Sequence, residues 1–102
     1  MEKVRVASLS ELVPRIGREV IIGKQKIAVF RLSDDQVRAV ENVCPHKQGP
    51  LAEGTVSGSF VFCPLHDYKI SLEDGIVQDP DEGCVRTFET LVENDDVYVM
   101  VD

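Results

Sequence analysis

Two short segments, Cys44-Pro45-His46 and Cys63-Pro64-Leu65-His66, each carry a cysteine followed closely by a histidine, with residues 47–62 between them. The chain has two histidines, and both stand in these segments. Loops alone do not hold donor atoms in a fixed geometry, so a fold that uses these side chains together needs a rigid framework beneath them. Pro45 and Pro64 restrict φ immediately after each cysteine and stiffen both turns. Beyond the first histidine, Gln48-Gly49-Pro50-Leu51 supplies a glycine that lets backbone pass close to a bulky centre and a leucine that covers it. Leu65 offers similar cover on the second loop.

Cysteine and histidine alternating in this order suit a [2Fe-2S] cluster, with both thiolates on one iron and both imidazoles on the other. A tetrahedral zinc site uses the same four side chains, although zinc modules more often pair Cys with Cys and His with His. The mixed order favours iron and leaves a zinc-stabilised, non-redox interaction module as the alternative of another class. A hydrolytic zinc centre is disfavoured because four protein ligands leave no position for water. Nucleophilic catalysis by a Cys-His pair would require an orienting group and a substrate pocket at each pair. If the cysteines were ordinary buried hydrophobes, nothing would place both histidines beside them. The third cysteine, Cys84, has no remaining intrachain partner and reads as a buried free thiol.

With 102 residues, 43% of them hydrophobic, the chain supports one domain over residues 1–102. Apolar runs at Val4–Ala7, Val20–Ile22, Ile27–Leu32, Val37–Glu41, Phe60–Cys63, Thr87–Val92 and Val97–Val101 predict β-strands. The breaks carry turn residues: Gly23-Lys24, Ser33-Asp34-Asp35, Ser57-Gly58-Ser59, Glu73-Asp74-Gly75 and Asn94-Asp95-Asp96. The pattern predicts an all-β sandwich. Ser8–Val13 alone reads as helical, a short turn capped by Ser8 or Ser10 and ended by Pro14. Val43–Glu53 and Pro64–Pro80 are richer in Pro, Gly and polar residues, as ligand loops on a β framework would be, and Gln78-Asp79-Pro80-Asp81-Glu82-Gly83 is an acidic loop.

A formal charge of -7 argues against nucleic acid and anionic membrane as partners, since phosphate binding needs clustered Lys and Arg. The acidic surface solvates the chain, or steers it toward a basic patch on a redox partner. No run approaches the roughly 20 apolar residues of a membrane helix, and Met1–Arg5 lacks a secretion signal. The odd number of cysteines suits a reducing compartment, so a soluble cytoplasmic protein is expected. Gly54-Thr55-Val56-Ser57-Gly58 lacks the glycine spacing and following helix of a dinucleotide site, so the chain is not expected to bind NAD(P)H.

These motifs, with the turn Glu73-Asp74-Gly75 after the second loop and the closing strand pair around Asp95, resemble the Rieske ferredoxin family over nearly the whole chain. The resemblance implies a Rieske-type antiparallel β-sandwich with a small cluster-binding subdomain of two ligand loops, approximately 43–53 and 63–80. It implies a Rieske [2Fe-2S] cluster held by Cys44, His46, Cys63 and His66, with the imidazoles near solvent as the exit for an electron. High-potential members carry an extra cysteine in each loop and a hydroxyl donor after the second histidine. Here Lys47-Gln48-Gly49, Leu65 and Asp67-Tyr68 stand instead, which implies a lower potential. Tyr68 occupies a position where aromatic residues are common in the family and is expected to pack.

The run from Val40 to Gly54, with Lys47-Gln48 after the first histidine, is similar to the small-subunit family of assimilatory NAD(P)H nitrite reductases, as is Thr87-Phe88-Glu89-Thr90. That similarity implies a large catalytic subunit as partner, carrying FAD, [4Fe-4S] and sirohaem and reducing nitrite to ammonium. The present chain would relay electrons, dock or stabilise, without being catalytic on its own. A cluster is one-electron equipment, so six-electron chemistry belongs elsewhere. A free-standing Rieske ferredoxin, passing electrons from a flavoprotein reductase to an oxygenase, shares every ligand and differs in partner.

Overall fold

The segment Ile27-Ala28-Val29-Phe30 is apolar at every position, and all four side chains are 0% exposed. Successive side chains of a strand point to opposite faces, so a strand buried throughout must lie between two layers. The computed structural model, which describes residues 2–44, 49–64, 68–78 and 82–101, has that arrangement. Strand β3 (Gln25–Arg31) pairs antiparallel with β2 (Arg18–Ile22) and β4 (Val37–Glu41), and β8 (Thr87–Phe88) extends the sheet beyond β4.

One face of this middle sheet carries Ile27, Val29, Val37, Ala39 and Phe88, which pack on Ala7, Val97, Val99 and Val101. The latter come from an antiparallel sheet of β1 (Glu2–Ser8), β10 (Asp96–Val101) and β9 (Thr90–Glu93), with β10 central. On the opposite face, Ala28, Phe30, Leu32 and Val40 meet Val56, Val61, Ile70 and Leu72. These lie in or beside a third antiparallel sheet of β5 (Thr55–Ser57), β6 (Phe60–Phe62) and β7 (Lys69–Ser71). Each fully buried Phe, Ile, Leu or Val contributes about 1.5–3 kcal/mol of burial free energy to one of the two cores.

The predicted turns hold, and each contains a residue at positive φ: Gly23, Asp35, Gly58, Gly75, and both Asn94 and Asp95. Asn94 and Asp95 form the two-residue connection between paired Glu93 and Asp96, where positive φ at both positions matches the right-handed twist of the strands. Gly75 has a second constraint. A Cβ there would lie 2.2 Å from the Val85 carbonyl oxygen, and the Val85 amide donates to the Gly75 carbonyl at 2.8 Å.

Some expectations change. The run Thr87–Val92 divides at Glu89, because Thr87 pairs with Val40 in the middle sheet whereas Val92 pairs with Val97 in the outer one. Strands β5 (Thr-Val-Ser) and β7 (Lys-Ile-Ser) escape the sequence pattern because each carries one apolar residue, whereas β6 (Phe-Val-Phe) is apolar throughout. The helical stretch shortens to a 3-10 turn over Leu9–Glu11, with the Ser8 amide donating to Glu11 Oε1 at 3.1 Å, and it ends before Pro14. Cys84 is exposed rather than buried: it bridges Ile76 in a short antiparallel contact, and its neighbour Val85 takes the inward position. Among the described residues, no helix is long and apolar enough to cross a membrane.

Candidate metal centre

Cys44 lies just past β4 and Cys63 directly follows β6, so each thiol stands where a strand gives way to a loop. Both residues are 0% exposed, and both enter the apolar cluster between the middle and third sheets, with Leu51, Val61 and Ile70. The two loops are closed alike. The Cys44 amide donates to the Gly49 carbonyl at 2.8 Å, and the Cys63 amide donates to the Tyr68 carbonyl at 2.9 Å. Each bond joins positions five apart (44 to 49, 63 to 68), and each bracketed stretch of sequence contains one histidine. His46 and His66 themselves, with Pro45, Lys47, Gln48, Leu65 and Asp67, lie outside the described residues.

The supports of the first loop are specific. Leu51, expected as an apolar cover, is fully buried at the head of a 3-10 turn, Leu51–Glu53. Gly54 follows, and a Cβ there would lie 2.4 Å from the carbonyl oxygen of Phe62, the residue before Cys63. A side chain at position 54 would therefore push the bases of the two loops apart. Tyr68 packs against the same apolar cluster, in agreement with its expected role. Near the acidic loop, the Gln78 amide donates to the Lys69 carbonyl at 2.8 Å and the Val77 amide to the Gly83 carbonyl at 2.9 Å. Asp79, Pro80 and Asp81 lie outside the described residues.

Asn42 is a positioning residue that sequence reasoning did not single out. It is 5% exposed, and its Nδ2 donates to Glu19 Oε2 at 2.5 Å while its Oδ1 accepts the Ala52 amide at 2.7 Å. Its own amide donates to the Lys26 carbonyl at 2.9 Å. One side chain thus joins β2 to the far side of the first loop, two residues before Cys44. The available signal was an amide side chain between a buried strand end and a candidate ligand. Asn42→Ala leaves the Ala52 amide without its acceptor and is expected to cost about 1–3 kcal/mol, measured by chemical denaturation. A variant that unfolds at the wild-type midpoint would contradict this role.

The described cysteines form no disulfide. No group of three or more His, Cys, Asp or Glu able to hold a metal occurs among the described residues, both imidazoles being outside them. Two thiols delivered by matching loops into one water-excluding apolar cluster nevertheless fit a sulfide-bridged iron centre, in which thiolate ligands sit in low dielectric.

A layered antiparallel β framework that sinks two loop cysteines into its core defines a small metal-cluster domain. A profile of the Rieske-like [2Fe-2S] domain family matches residues 3–100, and the chain belongs to that family. Its cofactor is accordingly a Rieske-type [2Fe-2S] cluster, and its chemistry is electron transfer. The chain is 32% identical over 98 residues to ferredoxin CarAc of Metapseudomonas resinovorans, covering 94% of this chain and 91% of that one. It is 41% identical over 78 residues to the 4beta-methylsterol monooxygenase of Methylococcus capsulatus, covering 76% of this chain but spanning 18% of that protein's length. Among solved structures, a putative NADH-dependent nitrite reductase small subunit from Mycobacterium tuberculosis superposes with a TM-score of 0.91 at 25% identity, covering 99% of this chain and 96% of that one.

Proposed function

We propose that Cys44, His46, Cys63 and His66 ligate the cluster, and that the chain is the electron-transferring small subunit of an NAD(P)H nitrite reductase. The observation that carries the ligand assignment is the convergence of Cys44 and Cys63, from two loops closed in the same way, in one buried cluster. When bound, the cluster takes up and releases one electron at a time. Cys44 and Cys63 would supply the thiolates, and Leu51, Val61 and Ile70 exclude water around them. His46 and His66 would complete the donor set with their imidazoles. Asn42 and Gly54 keep the two loop bases in register.

The nitrite reductase reading is supported by the likeness to a small subunit of that enzyme class and by the Val40–Gly54 run with its Lys47-Gln48 pair. The partner is then a large subunit with FAD, [4Fe-4S] and sirohaem. A free-standing ferredoxin serving an oxygenase is the second reading, supported by the 32% identity to CarAc along nearly the full length of both chains. A single domain over residues 1–102 and a cytoplasmic location accompany either reading.

Co-expression with a sirohaem-containing large subunit separates the two. A stable complex that survives purification supports the nitrite reductase assignment. Failure to associate, together with electron delivery to an oxygenase, would replace it with the ferredoxin. Electron paramagnetic resonance of the reduced protein tests the ligands, since nitrogen ligation lowers the average g value below that of an all-thiolate cluster. A midpoint near the upper end of the Rieske range, roughly -150 to +300 mV, would contradict the low potential expected from the missing disulfide and hydroxyl donor. Iron and acid-labile sulfide analysis distinguishes the cluster from zinc.

A further inference from the structure

On a chain of formal charge -7, most described cations are engaged locally. Lys3, Arg5, Arg18 and Arg31 pair with Glu93, Asp96, Glu11 and Asp35, Arg15 donates to the Val56 carbonyl, and Lys69 lies over Phe60. Lys24 and Lys26 differ. Both are exposed, and neither makes an ion pair or an aromatic contact among the described residues.

These two lysines line an open cavity of about 290 Å³ together with Glu41, Val43 and Arg86. The Arg86 guanidinium is stacked over Phe88 at 4.7 Å, which holds its charge in place. Glu41 Oε1 accepts the Arg86 backbone amide at 2.6 Å, so this carboxylate is engaged on backbone and not on either lysine. Ile21, opposite Lys26 in the β2–β3 register, is 62% exposed and adds an apolar surface to the cations. The face adjoins the metal centre: Val43 precedes Cys44, and the Lys26 carbonyl accepts the Asn42 amide at 2.9 Å.

We propose that this face, Lys24, Lys26 and Arg86 around Val43, is where the electron-transfer partner docks, and that the partner presents a carboxylate-bearing surface to it. The inference rests on the electron-transfer reading above and reverses the sequence-based idea that an acidic face meets a basic patch. Lys24 and Lys26, which have no counter-charge among the described residues, attract an anionic surface against the net charge of the chain and fix its orientation. Ile21 and Val43 supply the apolar contact that such a docked surface excludes from water.

The test uses dithionite-reduced holoprotein at low ionic strength, ferricyanide as one-electron acceptor and hexaglutamate as the carboxylate probe, with cluster oxidation followed by stopped-flow absorbance. Hexaglutamate is expected to slow oxidation of the wild type severalfold. In K24Q/K26Q that inhibition should disappear, and oxidation without the peptide should slow by up to roughly tenfold through lost attraction. K3Q/R5Q, an equal charge change on β1 of the outer sheet, should keep the inhibition. Equal behaviour of the two variants, or a wild type indifferent to hexaglutamate, would overturn the proposal. The visible spectrum of each variant reports an intact cluster, and a wild type lacking that spectrum would instead defeat the reading of the metal centre.

Discussion

Cys44→Ser and Cys63→Ser are each expected to abolish the visible absorption and the paramagnetic signal of the cluster. A serine hydroxyl is a poor substitute for a thiolate on iron, and each cysteine is the one described donor that its loop places in the buried cluster. Each replacement also buries a hydroxyl among apolar side chains, costing about 1–3 kcal/mol beyond the loss of metal-linked stabilisation. The damage should stay local. Ile27, Val29, Val97 and Val99 belong to the other core, on the far face of the middle sheet. Hydrogen exchange should therefore show protection lost at the Cys44, Gly54 and Cys63 amides and kept at β3 and β10. A persistent cluster spectrum in both variants would overturn the ligand assignment.

Leu51→Ala should destabilise the protein by about 2–5 kcal/mol, the range for truncating a fully buried leucine, because Leu51 is 0% exposed and its truncation leaves a cavity in the apolar cluster. Its position gives the effect a second signature. Leu51 shares the apolar cluster with both cysteines, so the cavity opens next to the metal centre and should admit water to it. Val99→Ala removes a residue of the other core and serves as the comparison. Both variants should unfold at lower denaturant. Only Leu51→Ala should bleach faster in buffer, well below its unfolding transition; equal bleaching would mean that Leu51 contributes bulk stability and no protection of the cluster.

The cluster type was legible in the sequence because it depends on residue type and short spacing: two histidines, each beside a cysteine, leave few assignments. The turns were legible for a similar reason, since Asn94-Asp95 and Gly75 answer local backbone requirements that neighbouring residues do not change. Strands β3 and β4 follow from runs long enough to exceed their surroundings. By contrast, Thr87–Val92 reads as one strand, and its division depends on Val40 and Val97, far along the chain and in different layers. Cys84 was expected inside because a free thiol is usually buried, and the local pairing of Ile76 turns it outward. Asn42 has its partners at positions 19 and 52, so its local signal, an amide beside a candidate ligand, does not reveal what it joins.

By itself, then, the sequence determined the β architecture, its turns, and the Cys-His motifs through which the chain resembles its family. The tertiary structure decided which face of the middle sheet receives the cysteines, how the bases of their loops are joined, and which lysines have no counter-charge among the described residues. Strand and turn preferences, like ligand types, are properties of neighbouring residues. Burial, loop closure and charge compensation depend on groups that become neighbours only when the layers pack.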